Sequence, residues 1–205
     1  MAIFAYCEDS TQARERRETA LEPHMAHLRR VIAQVGLAAP LANADGAAMA
    51  GDDRLVGSLF AIMTDQVSVA EAVMSADPYF SEGVWRRIDF YRTGRLSGAW
   101  CDDARPTRAP APPQALYAAL VSAGNDAPVA DAPADVLLAG LLHHALSIGS
   151  TPATPFSELR LLHADDIASA QARIDASLRA NGDPRTAVVF AVPIASGSMV
   201  GVGRI

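Results

Sequence analysis

The sequence contains no lysine; all 17 basic residues are arginine. That excludes Schiff-base catalysis, a lysine-held pyridoxal phosphate and the lysine of a phosphate-binding loop. No Gly-rich phosphate loop follows a strand. Cysteine is nearly as scarce. Cys7 and Cys101 stand far apart and form no CxxC pair, which fits free thiols in a reducing compartment, and a cytoplasmic location is expected. No apolar run reaches the roughly 20 residues that span a bilayer, and residues 1–7 turn polar too soon for a signal peptide. The arginines form no long block and the net charge is -6, so neither nucleic acid nor an anionic membrane is an expected partner. His24 and His27 lie at i, i+3 with no third ligand in the pattern, so no metal is expected, and no other cofactor is called for.

Half of the residues are apolar and a fifth are charged, the composition of an ordinary globular chain of one large or two small domains. Residues 3–7 read as a strand, and 11–22 as a polar, Arg-rich, solvated lead-in. Pro23 suits the first turn of a helix. Leu28, Val31 and Val35 then recur at helical spacing, with Met25 and Ile32 beside them. His24 extends that stripe and is expected to face inward, whereas His27, beside Arg30 and Gln34, is expected at the surface.

Residues 37–41 and 59–63 read as strands, separated by a mobile loop over 42–57. Ser68 and Glu71 form a capping box for a helix whose inner face is Val69, Val73 and Ala76. Pro78 pushes Asp77 out of the helical region and ends that helix, leaving a carboxylate beside Tyr79 and Phe80. A strand over 84–92, with Trp85, Ile88 and Phe90, completes a β-α-β-β-α-β order.

Four prolines fall within residues 106–113, a semi-rigid linker. The same order then recurs: strand 116–122, helix 134–144, strands 146–149 and 159–163, helix 165–178 and strand 187–194. The helix at 165–178 carries Ile167, Ala170, Ile174 and Leu178 on one face. The expected fold is α+β: two ferredoxin-like βαββαβ units whose antiparallel sheets pack face to face. The units are residues 1–103 and a degenerate copy at 115–205, joined by a linker at 104–114. The copy lacks the site residues. Asp183 reads as a turn residue, His143 and His144 as structural groups at a helix C-terminus, and His163 has no reading by itself.

A histidine on the inner stripe and a loop-anchored aspartate make His24 and Asp77 a candidate general acid/base pair, because a carboxylate orients an imidazole and stabilises its protonated form. Tyr79, Phe80 and Trp85 would line a substrate cleft. No Ser or Cys is placed as a nucleophile. The matching chemistry is proton abstraction and return on a small molecule with an acidic carbon, as in an isomerisation or an elimination from a lactone. Arg29, Arg30, Arg86 and Arg87 are either holders of a substrate carboxylate or plain surface residues. The competing reading is non-catalytic: His24 and Asp77 as a structural ion pair in a ligand-binding or dimerisation module.

The residues Ala76-Asp77-Pro78-Tyr79-Phe80 and Gly83-Val84-Trp85 resemble the "ADPY…GV" signature of the YCII-related (YciI-like) family. His24-Met25-Ala26-His27-Leu28 and Ala38-Ala39-Pro40-Leu41 resemble that family's helix histidine and following "AGPL" strand, with Ala39 where the family has Gly. The resemblance covers residues 1–100. It implies a dimeric α/β-barrel type of fold and a site that pairs His24 with Asp77. The second half would then serve as a covalent partner in an intrachain pseudo-dimer, with homodimerisation an open possibility.

Overall fold

A computed structural model describes residues 2–46, 50–97, 115–122, 136–149 and 156–193. The first half runs β1 (Ile3–Asp9), α1 (Ala13–Val31), a 3-10 turn (Ile32–Gln34), β2 (Val35–Ala42), β3 (Leu55–Ile62), α2 (Val67–Ser75), α3 (Pro78–Ser81) and β4 (Trp85–Ser97). The second runs β5 (Ala115–Ser122), β6 (Val136–Gly149), β7 (Phe156–Ala164), α4 (Ile167–Ala180) and β8 (Ala187–Val192). The proposed linker at 104–114 and Cys101 lie outside the described residues.

The eight strands form one closed barrel in the order β1-β3-β2-β8-β5-β7-β6-β4, with antiparallel pairs throughout. This overturns the expectation of two ferredoxin-like units with sheets packed face to face. The strands of the two halves join edge to edge. The β4–β6 seam runs from Arg87 opposite Gly149 to Ser97 opposite Ala139, and the β2–β8 joint is made at Ala42 opposite Ala191. The physical reason is the edges. Two open sheets would each present two rows of unpaired backbone groups; closure pairs one edge of each along the β4–β6 seam and joins the other two at Ala42 and Ala191.

Strand alternation divides the apolar residues cleanly. Phe4 and Tyr6 of β1, Leu59 and Ala61 of β3 and Tyr91 of β4 share one core inside the barrel with Leu116, Leu120, Leu159, Leu161 and Phe190. The alternate residues, Ile3, Ala5, Cys7, Phe60, Ile62, Ile88 and Phe90, form an outer core under α1, α2 and α3. On the other side α4 covers Tyr117, Ala119, Leu162 and Val189 with Ala170, Ile174 and Leu178. Burial on both faces makes the strands nearly continuous apolar runs.

That continuity explains one misreading. The stretch 134–144 reads as an apolar helix, but from Val136 it belongs to the long strand β6, with Leu138 and Leu142 turned into the barrel. A run apolar on both sides carries no period to tell helix from strand. The opposite error concerns α1. The polar lead-in at 11–22 is helical, and Pro23 lies inside the helix rather than at its start. The buried residues Ala13, Arg17, Ala20, His24, His27 and Leu28 follow helical spacing, but they are small or polar and give no hydrophobic signal. In α2 the first residue is Val67, capped at Gln66 without a side-chain bond, so the Ser68–Glu71 box does not start it. Its buried face is Ala70 and Met74, while Val69 and Ala76 are exposed.

The loop after β2 is tied at both ends. Arg54 grips Asp52 and donates to the Asp45 carbonyl. Asp45 Oδ1 accepts from the Tyr117 hydroxyl at 2.6 Å and from the Ile167 N–H at 2.9 Å, so a first-half loop caps the second half's helix. Burial pushes the Tyr117 phenol well above its ordinary value, and the Asp45 carboxylate adds to the shift. Asp183 is the ion-pair partner of Arg185, which also bonds the fully buried Glu158, and this pairing holds the Asp183 carboxyl below its ordinary range. Among the described residues, no helix is long and apolar enough to cross a membrane.

Replacing Asp45 by Ala strips a buried phenol and a helix N-terminus of the same acceptor. Stability should fall by about 1–2 kcal/mol, read as a lower urea midpoint at unchanged slope. A midpoint equal to that of the parent would show that the loop does not tie the two halves.

Candidate functional site

The site begins at Pro78. Its ring keeps Asp77 extended, at φ -75° and ψ 129°, and its missing N–H leaves Tyr79 as the first donor the Asp77 side chain can reach. Asp77 Oδ1 accepts that N–H at 2.9 Å. Asp77 is therefore the N-cap of the short helix α3, not merely the end of α2, and it is completely buried.

His24 descends from α1 onto this carboxylate. Its Nδ1 lies 2.7 Å from Oδ1 and 2.9 Å from Oδ2. An ionised carboxylate only accepts, so Nδ1 carries the proton, and in the neutral ring the lone pair is on Nε2. His24 is 7 % exposed. Nε2 has no hydrogen-bond partner among the described residues, yet it is not among the fully buried unpartnered atoms, so this edge keeps contact with solvent. Tyr79 stacks on the imidazole at 3.8 Å between ring centres, with the planes 7° apart. Trp85 meets it edge-on at 5.8 Å. The expected aromatic neighbours thus divide: Tyr79 and Trp85 cage the imidazole, whereas Phe80 packs half-buried against the outer core.

Arg17 completes the cluster and was not singled out by the sequence, because its stretch reads as solvated. It is 3 % exposed. Its guanidinium holds Asp9 with two bonds of 2.8 and 3.1 Å, reaches the Gly57 carbonyl at 3.3 Å and lies 5.1 Å from the centre of the Tyr79 ring. The available signal is Arg17, Ala20 and His24 at i, i+3 and i+7. Burial raises the Asp9 carboxyl above its ordinary value, with Arg17 opposing. Burial likewise raises the Tyr79 phenol, again opposed by Arg17. Cys7 lies in the outer core of this half; burial first, then the charges of Asp77 and Asp9, raise its thiol well above the ordinary value, which keeps it unreactive.

Other expectations are corrected. His27 is buried rather than at the surface; its Nδ1 meets Arg30 at 3.3 Å, and its Nε2 has no partner among the described residues. Of the four candidate carboxylate-holding arginines, three pair with acids of this chain and Arg30 meets only His27 among the described residues. Arg29 pairs with Glu22, Arg86 with Glu8, and the buried Arg87 with Glu8 and Asp89. His143 and His144 sit on strand β6 and not at a helix end, and His144 bonds Ser147, which donates to Asp89. Burial lowers the His163 imidazole below its ordinary value. No cluster of three or more metal-binding side chains occurs among the described residues.

A groove of about 920 Å³ runs between α1 and α3. Arg16, Thr19, Ala20 and Pro23 form one wall; Pro78, Ser81 and Gly83 form the other. Pro23 and Pro78 are the chain neighbours of His24 and Asp77, which themselves do not line it. Gly83 has φ +69° and receives a hydrogen bond from Arg16 at its carbonyl; a Cβ there would collide with the guanidinium.

No family model matches the chain, and no curated protein matches it. Among solved structures, it is similar to 5-chloro-2-hydroxyhydroquinone dehydrochlorinase from Burkholderia phenoliruptrix in complex with 2,5-dihydroxybenzoquinone. That likeness covers 45 % of this chain and 92 % of the other, at 18 % identity and a TM-score of 0.41. It is also similar to an anthrone oxidase-like protein, over 98 % of this chain and 95 % of the other, at 12 % identity and a TM-score of 0.45. Likeness of this degree transfers no site residue from either protein.

Asp77 serves a helix cap and an imidazole at once, so Asp77→Ala should lower stability by about 2–3 kcal/mol in urea unfolding. Asp77→Asn keeps an acceptor for the Tyr79 N–H and should lose clearly less. Equal losses in the two variants would contradict the cap.

Proposed function

We propose that the chain is a small-molecule enzyme in which His24 and Asp77 act as a general acid/base unit. The reaction class is proton transfer at an acidic carbon, as an isomerase or lyase acting on a lactone-like substrate. One observation carries this reading: Nδ1 is committed to Asp77, while the opposite edge of the ring, Nε2, has a free lone pair and meets solvent. Neutral His24 takes a proton at Nε2, and the resulting imidazolium faces a carboxylate 2.7 Å away, beside the Tyr79 and Trp85 rings. The proton then returns to a different atom in an isomerisation, or stays on His24 while a leaving group departs in an elimination. A groove lies beside Pro23 and Pro78, the chain neighbours of the pair. The "ADPY…GV" residues and the helix histidine support placing the chain near the YCII-related proteins, whose proposed site is this pair.

The burial of Asp77 favours a second reading. A cap that also holds α1 onto α3 is a structural device, and the protein would then be a binding or dimerisation module.

Deuterium exchange separates the two. The protein is incubated in D₂O with a panel of small enolisable lactones, and loss of the α-proton signal is followed by NMR. Exchange should fall by at least about 100-fold in His24→Ala, with the circular dichroism spectrum unchanged. Exchange undiminished in that variant would leave the structural reading.

A further inference from the structure

We infer that Arg17 is the positioning residue of His24 and acts on it through the Tyr79 ring; the inference rests on the reading of His24 as the acid/base group. Arg17 and His24 are seven residues apart on one helix, two turns along the same face, a separation of about 10.5 Å. The Tyr79 ring centre lies 5.1 Å from the Arg17 guanidinium carbon and 3.8 Å from the His24 ring centre. The guanidinium thus lies over the same ring that stacks flat on the imidazole, so Tyr79 links the two side chains. Ala20 is the residue of that face between them. It is 2 % exposed and shares a core with Tyr79, and a small side chain there leaves room for the ring.

The two ends of this stack are fixed in different ways. His24 is fixed by the Asp77 carboxylate. Arg17 is fixed by the bidentate pair with Asp9 and by the Gly57 carbonyl, three bonds through Nε and Nη2 that set the plane of the guanidinium. Tyr79 cannot move toward Arg17 without displacing a buried ion pair. Nor can it turn freely at its backbone, because its N–H is bound to Asp77. Arg17 is therefore the stop that keeps Tyr79 flat against the imidazole and keeps Nε2 aimed at one place.

The test is spectroscopic and needs no substrate. In the parent, the carbon-bound ring protons of His24 should show the upfield shift of a stacked aromatic, assigned with His24→Gln and referenced to Tyr79→Leu. The double variant Asp9→Asn/Arg17→Met removes the guanidinium without leaving a buried unpaired carboxylate. It should lose most of that shift while remaining folded by thermal melt. If the double variant does not fold, Arg17→Lys is used; it keeps the charge pair but not the fork, and should retain about half of the shift. Full retention of the shift in a folded variant overturns the inference. With an exchanging lactone, kcat should fall about tenfold with KM unchanged; a lost shift with unchanged kcat also overturns it. A failure of the acid/base reading is seen separately, as exchange that survives in His24→Ala.

Discussion

Every backbone donor and acceptor on a strand edge needs a partner, and that constraint shapes the whole molecule. Joining the strands of the two halves into one ring of eight meets it along β4–β6 and, at one residue pair, between β2 and β8. The β4–β6 seam and the β2–β8 joint do this, and all else follows from the closed ring. Closure sends Phe4, Tyr6, Leu59 and Tyr91 into a common interior with Leu116, Leu120 and Leu159. The alternate residues are thereby forced outward, where helices must cover them. The site is built in that outer layer, between a barrel wall that cannot slip and helices laid across it.

Within the outer layer, α1 presents a stripe of small and polar residues instead of leucines. This choice is what makes the site. Ala13 and Ala20 let the helix approach closely, and Arg17 and His24 meet carboxylates rather than hydrocarbon. Each buried basic side chain has its own acid, Asp9 from β1 and Asp77 from the α3 cap, and one aromatic ring touches both Arg17 and His24. Removing one member of such a pair strands a buried charge. The arrangement thus resists small rearrangements, as a preoriented imidazole requires.

The second half solves a different problem with the same tools. Its single described helix, α4, covers the outer wall with Ala170, Ile174 and Leu178 and is capped by Asp166 and by Asp45 from the first half. Its buried charges, Glu158, Arg160 and Arg185, satisfy one another and Asp183. That network closes on itself, whereas the imidazole of the first half keeps one nitrogen unpartnered.

What the sequence determined by itself was local. The Asp77-Pro78 junction was legible because a proline dictates the backbone of its predecessor whatever surrounds it. The inward position of His24 was legible from Leu28 and Val31, and α4 from its regular apolar face, because those signals repeat within a few residues. Arg17 was not, since a buried arginine and a solvated one are the same letter until Asp9, Gly57 and Tyr79 are brought to it from other elements. Nor was β6, whose apolar residues on both faces carry no period. Closure was the least legible of all. It depends on which edge meets which across more than fifty residues, as at Asp89 opposite Ser147, and hydrogen bonds between backbone groups carry no side-chain signature. Only the tertiary structure decides them, because the groups that bond there are common to every residue.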